Sequence, residues 1–259
     1  MNVLVFLKCV PDTETRIRIA ADGRAIDEAE VKLVISPFDE HAIEEALKLK
    51  EAAGAGEVTV LTVGDERCQT VLRGALAMGA DKAVLVTLPK GAPVDALATA
   101  RILAAAAKTI PHDLALAGKQ GVGNDRSAVP AMVAELVDVP HVAVVTKLEV
   151  KDGKLRAERE IEGGQQVVEA ELPAIVTCQK GLNQPRYAGI KGVMAAKKKP
   201  LDLVTLDKLG LTPAILDEGE QWTKLELPPA REPAKILKGA AADVARELVK
   251  LLAEEAKVI

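Results

Sequence analysis

The sequence predicts a doubly wound, Rossmann-like α/β fold: a mostly parallel sheet with an antiparallel extension and a C-terminal arm. Three observations predict it. Apolar runs of strand length recur over the first 140 residues, with helical patterns between them. From about residue 142 the pattern changes to short segments separated by hairpin signals. After Leu182 strand periodicity is lost. Fully covered parallel strands read as continuous apolar runs, and helical crossovers between them cover both faces of the sheet.

In chain order, the strand runs are 3–10, 58–63, 83–88 and 114–117. The first helix is read over about 38–53, where Ala42, Ile43, Ala46, Leu47 and Ala53 return at helical spacing. Ser36 offers a hydroxyl N-cap to it, Pro37 suits the first helical position, and Asp39 places an acid three residues after the cap. Further helices are read over 65–78, 94–109 and 125–137. The segments 142–150, 154–161, 166–171 and 174–177 follow, broken by Asp152-Gly153 and Gly163-Gly164, and are read as antiparallel strands. Beyond them come Pro185, Pro200, Pro213, Pro228, Pro229 and Pro233, and a helical pattern returns only at about 240–257. The expected division is an α/β domain over 1–200 and an arm with a helix over 201–259.

A chain of 259 residues, 49% of them apolar, buries a sizeable core, and its formal charge of −4 gives no ground for binding nucleic acid. Cys9, Cys68 and Cys178 form no CxxC or Cys/His pair, so they are read as core residues in a reducing compartment. The chain opens directly on a buried strand, and no apolar run reaches the roughly 20 residues that span a bilayer. A cytoplasmic location without membrane insertion is expected.

Ligands of open parallel sheets bind beyond the carboxyl ends of the strands, where loops lead into helix N-termini. Three loops suit that place: Ser36-Pro37-Phe38-Asp39, Val63-Gly64-Asp65, and the run from Gly118 to Asp125. Glycines in the last loop let backbone N–H groups approach an anion, and Lys119 adds a charge. The loop matches neither GxGxxG nor GxxxxGK[ST], so a phosphate-binding loop and a plain strand-to-helix turn both stand. His41, His112 and His141 are isolated in sequence, and no metal spacing or nucleophile elbow occurs. No catalytic residues, and hence no enzyme activity of the chain's own, are expected.

Arg159-Glu160-Ile161-Glu162-Gly163-Gly164, Glu171-Leu172-Pro173-Ala174-Ile175-Val176-Thr177 and Leu182-Asn183-Gln184-Pro185-Arg186-Tyr187-Ala188 occur in order, followed by Met194 and Ala196-Lys197-Lys198-Lys199-Pro200. With Ala75-Leu76-Ala77-Met78-Gly79-Ala80-Asp81 and Gly118-Lys119-Gln120, this series resembles the beta subunit of electron transfer flavoproteins over about residues 3–205. The resemblance implies a fold of the adenine nucleotide alpha hydrolase-like type. It also implies an obligate heterodimer: the alpha subunit carries the redox-active FAD, and this subunit forms a bowl beneath the flavin domain with the arm docking on alpha.

The same resemblance implies AMP held by Phe6, by Ser36, Pro37, Phe38 and Asp39, by Val63, and by Gly118, Lys119, Gln120, Gly121, Val122, Gly123, Asn124, Asp125, Arg126, Ser127, Ala128 and Val129. In electron-bifurcating relatives a second FAD takes that place. Where many members carry aspartates and then Asn-Gln-Thr, this chain has Gly121 to Val129, with Arg126 and Ser127 as replacement phosphate partners. Tyr187, Ala188, Gly189, Ile190, Lys191, Gly192, Val193 and Met194 resemble the loop that docks on acyl-CoA or other flavin dehydrogenases, with Ile190 as its aliphatic anchor. Lys197, Lys198 and Lys199 are read as a solvated face that steers acidic partners. Thr13 and Glu160 are placed near the flavin. The implied role is a carrier of electrons from dehydrogenases, including those of fatty acid oxidation, to a quinone-linked oxidoreductase or another acceptor. An adenine-nucleotide hydrolase fits less well, because Lys8-Cys9-Val10-Pro11-Asp12-Thr13 has no glycine to admit phosphate. A stress-type ATP-binding module would instead be a self-sufficient homodimer.

Overall fold

The computed structural model describes residues 1–92, 94–216, 219–220, 222–231 and 233–259. The first half of the chain folds as β1 (Val3–Phe6), β2 (Cys9–Pro11), β3 (Leu33–Ile35), α1 (Pro37–Ala53), β4 (Val58–Gly64), α2 (Cys68–Met78), β5 (Lys82–Thr87), α3 (Ala96–Ala107), β6 (Leu114–Gly118) and α4 (Val129–Val137). Then come β7 (His141–Lys151), β8 (Lys154–Ile161), β9 (Gly164–Glu171), β10 (Ala174–Cys178), α5 (Ile190–Ala196), β11 (Leu201–Val204) and α6 (Ala241–Lys250).

The main sheet has nine strands in the order β11-β5-β4-β1-β6-β10-β7-β8-β9. From β11 to β7 every pair is parallel, and β7, β8 and β9 pair antiparallel. The chain steps outward from β1 to β4 and β5, then returns to lay β6 on the other side of β1. That reversal opens a crevice at the carboxyl ends of β1 and β6. Strand alternation supplies two cores. Val3 and Val5 of β1 join one with α1 and α2, whereas Leu4 and Phe6 join the other with α3 and α4.

Several elements differ from the sequence reading. The single run over 3–10 is two strands, because the chain leaves the main sheet after Phe6 and β2 pairs antiparallel with β3, which no periodicity marked. The segment 174–177 is not antiparallel: β10 lies parallel between β6 and β7, and all five of its residues are buried, as an inserted strand requires. Of the two hairpin tips, Asp152-Gly153 has positive φ at both residues and fits a tight primed turn. In the second, Glu162-Gly163 forms the tip and Gly164 already belongs to β9.

Helix α4 starts four residues later than 125, since Asp125 and Ser127 adopt positive φ and hold the backbone out of the helical region. Ser36 stands at the N-cap of α1 with Pro37 at N1, but its hydroxyl makes no capping bond, and it is buried without a partner. Asp39 does not reach back to the cap, because its carboxylate is used elsewhere.

The chain contributes another sheet strand beyond residue 200. β11 pairs with β5, and the first compact unit runs from Met1 to Lys224. The second unit, Leu225–Ile259, contains α6, which continues as a short wider turn over Leu251–Glu255. Val244, Leu248 and Leu251 recur there at helical spacing, yet no residue of α6 is buried.

Candidate functional site

A cavity of about 470 Å³ opens where β1, β4 and β6 end. Its size lies within the roughly 300–1,000 Å³ of small-molecule sites. Phe6, Val63, Ala117 and Gly118 line it from the strand ends, and Cys9, Pro11 and Leu33 from the β2–β3 ribbon. Asp95 and Thr99 enter from the start of α3, and Val129 and Pro130 from the start of α4, while Glu220 and Trp222 come from the segment after β11.

Asp39 ties the base of this cavity together. Its Oδ2 accepts the backbone N–H of Lys8 at 2.7 Å and its Oδ1 that of Gly118 at 2.8 Å, which joins the ends of β1 and β6 to the first turn of α1. Burial pushes its carboxyl up to about 7, against the two N–H donors and the Lys8 ammonium, which favour the charged form. Glycine is required at 118 because of this approach: a Cβ there would lie 2.5 Å from Asp39 Oδ1 and 2.7 Å from the Phe38 carbonyl carbon.

Lys8 brings a cation into the cavity. Its Nζ donates to Asn124 Oδ1 at 3.1 Å, and burial pulls the ammonium below its ordinary value against the attraction of Asp39 and Asp125. Gly121 makes room, since a Cβ there would sit 2.4 Å from Lys8 Cδ. The other cavity cations are committed to acids. Arg67 pairs with Asp65 at 2.6 Å and with Glu28 at 3.0 Å, and Arg126 grips both carboxylate oxygens of Glu220.

Between β6 and α4 the backbone handedness alternates, with positive φ at Gly123, Asp125 and Ser127 but not at Asn124 or Arg126. Such alternation is how short loops form anion-binding concavities.

Of the residues expected at the crevice, Phe6, Asp39, Val63, Gly118, Gln120, Gly121, Asn124, Arg126, Ser127, Ala128 and Val129 line the cavity. Ser36, Pro37, Phe38, Lys119, Val122, Gly123 and Asp125 do not. Lys119 is turned away, with its Nζ 4.9 Å from the centre of the Phe38 ring. The guanidinium of Arg126 faces Glu220, so the pairing already occupies the fork that a phosphate would use.

Lys8, Asp95 and Trp222 were missed by the sequence reading. Lys8 carried a positional signal, because it is the one charged residue within the apolar run 3–10. Asp95 and Trp222 carried none, since only the tertiary fold brings them to the crevice.

The segment 183–186 is anchored on α1. Asn183 Nδ2 donates to the His41 carbonyl and to Glu45 Oε2, both at 2.9 Å. Arg186 forks onto Glu44 at 2.8 and 3.0 Å and onto Glu51 at 2.7 and 3.2 Å. Glu44 and Glu45 are buried, so these bonds compensate acids taken out of water.

The residues that follow face solvent. Tyr187 is 97% exposed, Ile190 84% and Met194 66%. They do not form one loop: Ile190 to Met194 begin helix α5, which Gly192 lets pack on α2. A Cβ at Gly192 would meet the Ala77 carbonyl oxygen at 2.4 Å.

The lysine run also divides. Lys197 and Lys198 are exposed, but Lys199 Nζ donates to the carbonyls of Leu76, Gly79 and Ala80 at 2.6–3.2 Å and caps the end of α2. Thr13, in the turn after β2, and Glu160, near the tip of the β8–β9 hairpin, are both exposed and outside the cavity lining. The three histidines are likewise absent from it. Among the described residues no group of His, Cys, Asp and Glu is placed to hold a metal, and no helix is long and apolar enough to cross a membrane.

Comparison with known proteins agrees with this architecture. The family model described as "Electron transfer flavoprotein domain" matches residues 24–209. A Bacillus subtilis protein named electron transfer flavoprotein subunit beta is 42% identical over the full length of both chains. The human protein of that name is 34% identical, with all of this chain and 99% of the human one covered. A relative from Oryza sativa subsp. indica, whose name adds "mitochondrial", is 36% identical over the whole of both. Full-length similarity at this level, together with the match to the family model, means that the chain belongs to the electron transfer flavoprotein beta-subunit family.

Proposed function

We propose that this chain is the partner-docking and nucleotide-holding half of a heterodimer whose alpha subunit carries the redox-active FAD. In this reading the cavity holds AMP as a structural ligand. Electrons pass from acyl-CoA or other flavin dehydrogenases through the alpha-bound flavin to a quinone-linked oxidoreductase or another acceptor. The redox chemistry belongs to the flavin, while this chain supplies support, docking and electrostatics, and no catalytic residue of its own is needed. A cytoplasmic setting belongs to the same reading.

One observation carries the proposal: a cavity at the point where the strand order reverses, bounded by the Lys8 ammonium and a loop of alternating handedness. Lys8, the Gly121–Asn124 turn and the start of α4 offer a phosphate one ammonium, backbone N–H groups and a helix dipole. The apolar strand ends suit an adenine ring. Arg126 joins the phosphate only by releasing Glu220. The competing occupant is a second FAD, whose ring would extend toward the alpha subunit.

The exposed anchors Tyr187, Ile190 and Met194, held on α1 through Asn183 and Arg186, suit a weak and fast contact with dehydrogenases. The amphipathic α6 suits docking on the alpha subunit, and Thr13 and Glu160 are assigned to the flavin side.

Co-expression with the alpha subunit tests the assembly. The expected product is a yellow heterodimer whose flavin is reduced by an acyl-CoA dehydrogenase and its substrate, with Ile190→Asp slowing that reduction by tenfold or more, about 1.4 kcal/mol. A chain that remains a stable, colourless homodimer in the presence of the alpha subunit would refute it.

A further inference from the structure

The sequence separates Cys9 from Cys68, but the fold brings them together. Cys9 lies in β2 and Cys68 is the first residue of α2, and both line the cavity. Both sulfurs lie against the end of β4. Cys9 Sγ is 4.0 Å from Thr62 Oγ1, and a Cβ on Gly64 would meet Cys68 Sγ at 2.7 Å. Thr62 and Gly64 are two residues apart and so share one face of β4, which puts the two sulfurs on the same side of that strand. Cys178, in contrast, is fully buried in β10 and does not line the cavity.

We propose that Cys9 and Cys68 form an oxidisable dithiol in the cavity wall, a modification site at which hydrogen peroxide closes a disulfide between β2 and the start of α2. The Cys68 thiolate attacks the peroxide, the O–O bond breaks, hydroxide leaves and the sulfur becomes a sulfenic acid. Cys9 sulfur then attacks Cys68 sulfur, the S–O bond breaks and water leaves with the Cys9 proton. Overall, two thiols lose two electrons and two protons, and the peroxide is reduced to two waters.

Cys68 is the better first nucleophile. It opens a helix beside Arg67, and the neighbouring Cys9 thiol pulls the Cys68 thiol below the ordinary value while Cys9 is pushed up. The inference holds whatever ligand fills the cavity.

The test uses the reduced full-length chain treated with hydrogen peroxide, followed by thiol counting and peptide mapping. The free-thiol count is expected to fall from three to one, with a Cys9–Cys68 linked peptide, Cys178 still free, and full recovery on reduction by dithiothreitol. Cys9→Ser is expected to abolish the link and leave Cys68 trapped as a sulfenic acid by a dimedone probe. Cys68→Ser is expected to abolish the link and leave Cys9 reduced. Retention of both thiols, oxidation to sulfinic acid without the linked peptide, or loss of Cys178 at the same rate would overturn the proposal.

Discussion

At the start of α1, Asp39 is buried against two backbone N–H groups, while farther along the same helix Glu44 and Glu45 are buried against the side chains of Arg186 and Asn183. The first arrangement leaves the acid with its desolvation only partly offset, so its carboxyl rises to about 7. The second adds a full opposite charge, and the Arg186 guanidinium is pushed up in turn by Glu44 and Glu51. The cavity end of the helix is therefore shaped by backbone approach, and the middle by charge pairing. Changes to backbone space should damage the first region, and changes to charge the second.

Gly118→Ala is expected to be the most damaging change. The new Cβ meets backbone and a buried carboxylate, neither of which can yield, and overpacking of this kind costs about 3 kcal/mol. Urea unfolding of the variant measures it, and an unchanged midpoint would remove Asp39 as the tie between β6 and α1. Arg186→Ala comes next, at about 2 kcal/mol, because it strands Glu44 away from water while the partly exposed guanidinium limits the loss. Equal stability of Arg186→Ala and wild type would show that charge pairing does not hold the 183–186 segment on α1.

The pH dependence of Asp39 sharpens the comparison further. Its folded pKa of about 7 lies above the ordinary 3.8, so the folded state binds the proton more tightly. The stability it contributes is complete below about pH 4 and is lost as pH rises through about 7. Asp39→Asn should lose this slope between about pH 4 and about pH 7 in urea titrations. A slope identical to wild type would assign the pH dependence to other groups.

Gly121→Ala should cost less than Gly118→Ala, about 1 kcal/mol, because its nearest obstacle is the flexible end of Lys8. Its main effect should be a weakened hold on AMP in an equilibrium binding assay. The smallest effect on stability is expected for Glu220→Gln. This exposed pair contributes little to folding, yet its loss frees Arg126 and should tighten AMP binding.

Much of the fold was legible because buried parallel strands advertise themselves: β4, β5 and β6 each fall within a residue or so of their apolar runs. Pairing partners were not legible. The run beginning at Val3 has one hydrophobic pattern but serves two sheets, and nothing local distinguishes β10 as an inserted parallel strand from a fourth antiparallel one. The three crevice loops were found from strand ends and glycines, but their side-chain directions depend on neighbours distant in sequence. Thus Lys119 lies over Phe38 while Lys8 enters the cavity, and Arg126 meets a glutamate about a hundred residues later. Lys199 reads as one of three equal lysines until the end of α2 is placed beside it.

The account depends most on what fills the crevice between β1 and β6. The direct measurement is to denature the heterodimer purified with its alpha subunit, separate the released nucleotides and quantify them against protein. The account predicts AMP in equal molar amount to FAD, with AMP lost selectively in a Lys8→Met variant that keeps its flavin. FAD released with no AMP from the wild-type complex would contradict it.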